Sequence, residues 1–594
     1  MAKWLEIRKG ADFNAIARKH GISPITARIL RNREVYEEDD VKRYLGGDMS
    51  LLHDPHMLKD IDLAAEIIKA KIEEGDVIRI IGDYDVDGIC SSYILLTGIK
   101  FCGGNVDAIL PHRIEDGYGL SINLVNQAHE DGKGTIITCD NGIAAVEQIA
   151  HAKELGMTVV VTDHHEVSYA EEDKEKMILP PADAVVDPKR RDDEYPYSEI
   201  CGAMVAYKFI QVLTEKMGLS GKSATARLFE ELTIFAGWAT VCDVMPLKDE
   251  NRIIVKQSFR CITRTQNEGL KALLRANEID PFAVSVYIYG FVIGPCLNAT
   301  GRLDSAMRGL ELLTEENPQA AAKIALELKE MNDSRKDMTV QGKDEAMEII
   351  SEYGDKLPDV LVIYMPELHE SLAGIIAGRV REETNHPVFV ITDTRDGLIK
   401  GSGRSIESYH MFDALSECRD LMVKFGGHKM AAGFTLKKEN LNNFRNALNE
   451  NSKLTEADFE EVIRFDMELP IGYLNIGLLK EIERLSPFGQ GNPEPLFAAR
   501  GVELVRGRIL GKNANTAKMT VRDDSGRFYD MMVFGSLFER WNEFLDTNFG
   551  SDQREKLYSG DNHVKMNIKI VYQAKINEFR GEESIQIVPK DFLP

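Results

Sequence analysis

Three short runs of acids and imidazoles carry the chemistry of this chain: Asp83-Tyr84-Asp85-Val86-Asp87-Gly88, Asp140-Asn141-Gly142 and Asp163-His164-His165. Asp83, Asp85, Asp140 and Asp163 cannot crowd together at neutral pH as bare anions, because like charges a few ångströms apart drive some of them to protonate. A divalent cation resolves the conflict. Oxygen-rich ligands with one or two imidazoles suit Mn2+ or Mg2+. Two such ions roughly 3.5–4 Å apart can clamp a phosphate, one activating water and the other steadying the leaving oxygen. A single Asp after a strand is ordinarily a helix N-cap or turn residue; four at strand ends, one followed by two histidines, favour metal. His164, as neutral imidazole, is a candidate ligand. His165, beside Asp163, is a candidate to donate to a phosphate oxygen or assist proton transfer. Spacing alone leaves open which imidazole does which.

The elements that must hold these groups are legible as alternating strands and helices. Ile61, Ala64, Ala65, Ile68 and Ile72 share one face of a helix over 60–74, stopped at Gly75. Val77–Ile81 is short, apolar and β-branched, which reads as a buried strand. Thr135–Thr138, Val159–Thr162 and Ala184–Val186 repeat the pattern, each running into an acid, with a helix around 144–155 between two of them. Such alternation predicts a parallel α/β sheet, with ligands bound beyond the carboxyl ends of its strands. A charged helical segment over 305–352 follows as a connector. A second, smaller α/β unit begins at Val360–Ile363 and carries Gly401-Ser402-Gly403-Arg404-Ser405 and Phe425-Gly426-Gly427-His428-Lys429. Strand candidates at 498–510, 516–522, 528–534, 564–572 and 584–588, with a helix around Leu537, Trp541 and Phe544 between the third and fourth, predict an all-β OB-type barrel. The domain reading is a cap at 1–50, a catalytic domain at 51–304, a connecting helix at 305–357, the second α/β domain at 358–452 and a linker with barrel at 453–594.

Composition narrows the class. Of the 594 residues 43% are hydrophobic, enough for sizeable cores. No run approaches 18 uncharged apolar residues, so no membrane helix is expected. MAKWLEIRKG has no apolar secretory core, and eight scattered cysteines without a CxxC pair exclude a disulfide scaffold and a thiolate zinc site; both fit a reducing cytoplasm. The net charge of −24 by itself argues against nucleic acid, yet the 16 basic and 15 acidic residues from Arg484 onward leave that stretch at +1 and the rest at −25. In it Lys565 and Lys569 share a strand face, with Arg506, Arg508, Lys512 and Lys518 near in sequence. These line a groove or form a solvated barrel face. No coiled-coil heptad is visible, and a monomer is expected.

Taken in order, the Asp-Tyr-Asp-Val-Asp-Gly, Asp-Asn-Gly and Asp-His-His motifs resemble the DHH phosphoesterase superfamily and, within it, the RecJ-type exonucleases that degrade single-stranded DNA from the 5′ end. The resemblance spans nearly the whole chain. It includes Leu52-His53-Asp54-Pro55, Gly202-Ala203, Ala239 to Leu247, Gly294 to Leu303, His369 to Arg379, the Gly-Ser-Gly-Arg-Ser loop, Gly-Gly-His-Lys-Met-Ala-Ala-Gly-Phe and the barrel. It implies metal ligation by Asp83, Asp85, Asp140, His164 and Asp243, and substrate contacts from Asn298, Arg302, Ser402, Arg404, Gly427 and His428. Asp243 has a plainer reading, an acid at a helix C-terminus or turn, and the glycine loops a plainer one as tight turns. The chain departs from the family at Ile81 (commonly His), Cys296 (usually Arg), Leu368 (Trp) and Ser371 (Gly). The loss of an Arg at 296 predicts a missing phosphate contact.

The resulting expectation is a hydrolase that uses two Mn2+ or Mg2+ ions on phosphodiester bonds of single-stranded DNA, in repair and recombination, with a single-strand-binding protein as a possible partner. Hydrolysis of short oligonucleotides or cyclic dinucleotides, and a non-catalytic single-strand-binding scaffold, are the alternatives; the first needs no barrel and the second needs no strand-end acids.

Overall fold

The computed structural model describes residues 2–112, 119–170, 173–303, 305–354, 356–394, 397–511, 514–560, 564 and 566–594. The first sheet has five parallel strands in the order Asn105–Ile109, Val77–Ile81, Thr135–Cys139, Thr158–Thr162, Ala184–Val186. The three central strands were legible as apolar runs because both faces are covered. Asn105–Ile109 was not: it is an edge strand whose Asp107 is held by Arg79 and Lys133. Helix Val86–Phe101 is buried almost all round, packed between the sheet and helices Gly202–Lys216 and Ser223–Cys242. The pair Lys208–Glu250, both fully buried and 2.9 Å apart, ties Gly202–Lys216 to helix Asp249–Cys261.

The segment expected as one connector is two helices, Met307–Thr314 and Pro318–Ser351. The break falls where Pro318 opens the second helix and the Asn317 side chain accepts from Gln319 N and Ala320 N, a helix start written in plain sight. The second sheet is mixed. Leu361–Tyr364 and Val388–Asp393 are parallel; Leu398–Arg404, Ala431–Lys437 and Met422–Gly427 continue it antiparallel.

At the C-terminus Phe497–Leu510 pairs with both Thr516–Arg522 and Met566–Phe579, so the strands close on themselves. Helix Ser536–Phe549 sits between the third and fourth strands as expected. The N-terminal helices Phe13–His20, Pro24–Asn32 and Glu38–Gly46 pack on the barrel: Ile29, Leu30, Val41 and Tyr44 join the barrel's own core with Leu479, Leu485 and Trp541. All eight cysteines are free thiols, and among the described residues no helix is long and apolar enough to cross a membrane.

Candidate metal centre and phosphate contacts

The acidic loop after strand Val77–Ile81 exists because two glycines let it fold back. A Cβ on Gly82 would lie 2.2 Å from Ser92 Oγ, and one on Gly88 would lie 2.4–2.6 Å from the Asp83 backbone. Asp85 then caps helix Val86–Phe101, one oxygen accepting from Asp87 N at 2.9 Å and Gly88 N at 3.2 Å. Asp140 sits at φ +58, a left-handed conformation that aspartate adopts only at a cost, where its carboxylate meets the other acids. Asp243 caps the C-terminus of helix Ser223–Cys242, the wrong end of the dipole for an anion, so the plain reading of its position is right and yet explains nothing about why it is acidic.

These groups converge. His164 Nε2 lies 3.0 Å from Asp140, 3.5 Å from Asp87 and 3.7 Å from Asp243. Three sets, Asp83/Asp85/Asp140, Asp87/His164/Asp243 and Asp140/His164/His165, each place their ligand atoms within 4.8 Å of one another. They overlap at Asp140 and His164, the arrangement two adjacent cations require. Among the described residues no Lys or Arg forms an ion pair with Asp83, Asp85, Asp87 or Asp243. Burial, with Asp85 beside it, pushes the Asp83 carboxyl up to about 8. Burial and neighbouring carboxylates raise Asp85, Asp140 and Asp243 as well. Burial lowers the pKa of His164, which keeps the imidazole neutral, the form that binds metal. A buried cluster of carboxylate oxygens around one neutral imidazole nitrogen fits Mn2+ or Mg2+.

Asp163 does different work. One oxygen accepts from His164 N at 2.7 Å, His165 N at 3.3 Å and His165 Nδ1 at 2.8 Å; the other accepts from Ile143 N at 2.9 Å. It orients His165 and belongs to none of the three ligand sets. Burial alone would lower His165, but the hydrogen bond and charge of Asp163, then the fields of Asp243 and Asp87, carry it up to about 9.

Asp87, in the first motif, joins His164 and Asp243 although its place one residue inside a helix gives no such signal in the sequence. Its carboxylate is gripped by the start of helix Gly202–Lys216, from Gly202 N at 2.7 Å and Ala203 N at 2.8 Å. The Gly202-Ala203 motif was the available signal: a Cβ at 202 would sit 2.8 Å from Asp140 Cβ.

Asn298, on helix Gly294–Leu303, accepts from Val86 N at 3.1 Å and so braces the acidic loop. Arg302 donates to Ser371 O at 2.7 Å. In the second sheet, register sets Arg404 opposite Ala431, whose carbonyl accepts from His428 N at 2.8 Å. Ser402 pairs with Gly433 and Gly427 with Ala432. Gly427 has φ +145 and a Cβ there would meet Ala431 O at 2.5 Å, so only glycine serves. The Arg404 guanidinium is packed beneath Gly374, where a Cβ would lie 3.1 Å from Nη2. It donates to Gly403 O, and burial depresses its pKa; among the described residues no carboxylate pairs with it. A half-buried cation without an anion fits phosphate. Cys296 is fully buried against Asn277 and Val292 O, inside the helical core, so that position in this chain does not face a substrate.

On the barrel, exposed Arg506 and Arg508 lie in cross-strand rows with Thr520 and Lys518, and among the described residues neither Arg forms an ion pair. Lys518 is partly neutralised by Asp530 at 2.6 Å, and Lys569 is exposed on its own strand. Lys512 and Lys565 lie outside the described residues.

Family profiles match along the chain: the DHH family N-terminal domain at 77–233, the DHHA1 domain at 358–453 and the RecJ OB domain at 465–591. The chain is 33% identical over 588 residues to the single-stranded-DNA-specific exonuclease RecJ of Salmonella typhimurium, covering 96% of both chains. It is 32% identical over 574 residues to the RecJ of Bacillus subtilis, covering 96% of this chain and 68% of that one. Its fold matches the crystal structure of Thermus thermophilus RecJ in complex with Mn2+, with a TM-score of 0.77 and 24% identity, covering 100% of this chain and 79% of the other. A crystal structure of exonuclease RecJ bound to manganese matches with a TM-score of 0.59 and 29% identity, covering 70% of this chain and 99% of that one.

Proposed function

The chain belongs to the RecJ family of single-stranded-DNA-specific exonucleases, and from that premise we propose that it removes nucleotides from the 5′ end of single-stranded DNA in repair and recombination. It is a metal-dependent phosphodiester hydrolase of the DHH class. The observation that carries this reading is the convergence of Asp87, Asp140 and Asp243 on His164 Nε2, with Asp83 and Asp85 adjoining. When bound there, Mn2+ or Mg2+ would make water a better nucleophile and offset charge on the phosphoryl oxygens. Asp83, Asp85, Asp87, Asp140, His164 and Asp243 would hold the ions. The hydrogen bond and charge of Asp163 raise the pKa of His165, which as imidazolium would donate a hydrogen bond to a phosphate oxygen or pass a proton toward the leaving oxygen. Arg404, with the backbone around Gly427 and His428, offers an anion seat for a strand phosphate. The exposed Arg506 and Arg508 face of the barrel offers a path for nucleotides further along. The enzyme acts as a cytoplasmic monomer, with a single-strand-binding protein as a candidate partner.

The test is digestion of a long single strand, labelled at either end, with Mn2+, beside a dinucleotide and an Asp140→Ala control. Release of short product from the 5′ label first, lost in the control, supports the reading. Cleavage of the dinucleotide alone, or binding of the long strand without cleavage, contradicts it.

A further inference from the structure

The edge strand Ala184–Val186 ends in an acid that belongs to none of the three ligand sets and, just beyond it, a cation. Asp187 lies beside Asp163, because Thr162 pairs with Val186 and Asp163 N donates to Val186 O at 3.0 Å. Asp187 is fully buried and accepts from Lys189 N at 2.8 Å. Arg190, also buried, donates to Val185 O and to Asp60, each at 2.6 Å, and forks Asp192. The backbone at 189 is therefore fixed on both sides, and the part left to swing is the four-carbon stem of Lys189. Its ammonium lies 3.0 Å from Glu166, the residue after His165, and 3.6 Å from Glu199, three residues before the Gly202 that grips Asp87. The charge thus sits between two segments that frame the metal centre. Behind the larger effects of burial and of Asp87, its field also acts on His164 and Asp243. The carboxylates that hold it are the more exposed partners, at 72% and 47% against 17% for Lys189. Ion pairs to partners this exposed are weak and readily exchanged.

Resting on the single-strand nuclease reading above, we infer that Lys189 binds a non-bridging oxygen of the backbone phosphate next to the one that is cleaved, and that Glu166 and Glu199 hold its ammonium until a strand arrives. The cleaved phosphate belongs under the ions, beside His165; Lys189 reaches one residue further, to Glu166, and so serves the neighbouring phosphate. The acids of the centre repel an incoming polyanion, and a cation at their rim offsets that repulsion. When the phosphate takes the ammonium, the two exposed carboxylates regain their water, whereas a phosphate drawn toward the ions loses its own and needs a donor. A hydrated point charge on a flexible stem suits a contact that must be made and broken each time the strand advances. It reads charge alone and is indifferent to the base.

The test measures KM for a long single strand with Mn2+ over a range of NaCl concentrations. It uses wild type, Lys189→Met, Lys189→Arg, Glu166→Gln/Glu199→Gln, and the glutamine pair combined with Lys189→Met. Lys189→Met should raise KM roughly 3- to 30-fold and flatten the log–log salt slope by roughly 0.7, the share of one phosphate on a single strand. Lys189→Arg should recover most of both. The glutamine pair should lower KM by releasing the ammonium, and that gain should vanish once Lys189→Met is added. An unchanged KM or slope in Lys189→Met would overturn the inference, leaving the lysine a surface clasp. So would a gain from the glutamines that persists without the lysine, since the carboxylates would then act on the strand by themselves. A Lys189→Met enzyme that is merely damaged would lose active sites with KM and slope intact, and this too counts against the inference. Absence of cleavage of any strand by wild type would instead overturn the nuclease reading itself.

Discussion

At the scale of single residues, the centre is a conflict among carboxylates that a cation settles. Removing one ligand by Asp140→Ala or Asp243→Ala should lower the rate at saturating Mn2+ by at least about 100-fold without changing the far-ultraviolet circular dichroism. An active Asp243→Ala enzyme would leave that helix-end acid with only its plainer reading. Metal and pH are linked through the same groups. In the metal-free fold Asp83 is held up to about 8, against 3.8 for an ordinary aspartate, so between those values the folded state binds more protons than the unfolded one. Stability without metal should therefore fall as pH rises through that window, while cations displace those protons. The rise in Tm produced by saturating Mn2+ should be larger at pH 8 than at pH 6; equal shifts would mean that the ions bind elsewhere. Asp83, Asp85, Asp140 and the two histidines were legible in the sequence because they follow apolar runs. Asp87 was hidden one residue inside a helix. Asp243 was reachable only through family resemblance, since a helix C-terminus gives an acid no local purpose.

At the scale of elements, the acids are placed by helix ends. Gly202–Lys216 grips Asp87 through Gly202 N and Ala203 N, and its position depends on the buried Lys208–Glu250 pair, where Tyr195 also donates to Glu250 and His53 O accepts from Lys208 Nζ at 2.9 Å. Glu250→Ala strands a fully buried ammonium. It should cost about 3–5 kcal/mol of stability, read as a fall in chemical-denaturation midpoint; a change under about 1 kcal/mol would show the pair to be dispensable. Most strands of the first sheet and of the barrel read from sequence because their periods are unmixed; of the five in the second sheet only Leu361–Tyr364 did. The edge strand Asn105–Ile109 did not, because its polar Asn105 and Asp107 break the apolar run.

At the scale of the molecule, sequence reading failed where partners are distant. The N-terminal helices showed broken apolar groups because their other half lies more than 400 residues away, in the barrel core. Arg252 makes the same long-range tie: its buried guanidinium donates to the carbonyls of Tyr44, Arg484, Ser486 and Pro487 and stacks on the Tyr44 ring at 3.9 Å. Arg252→Met should cost about 3 kcal/mol or more and speed proteolysis near residues 484–490; unchanged protection would deny the clamp. On the barrel, Arg506→Glu/Arg508→Glu should raise KM for long strands and flatten its salt dependence by roughly 1 to 2 in the log–log slope. An unchanged slope would mean that the face is merely solvated.

The most direct measurement is anomalous diffraction from crystals soaked in Mn2+. Two peaks roughly 3.5–4 Å apart, ringed by Asp83, Asp85, Asp87, Asp140, His164 and Asp243, are the predicted result. Manganese bound elsewhere, with these carboxylates left bare, would contradict it.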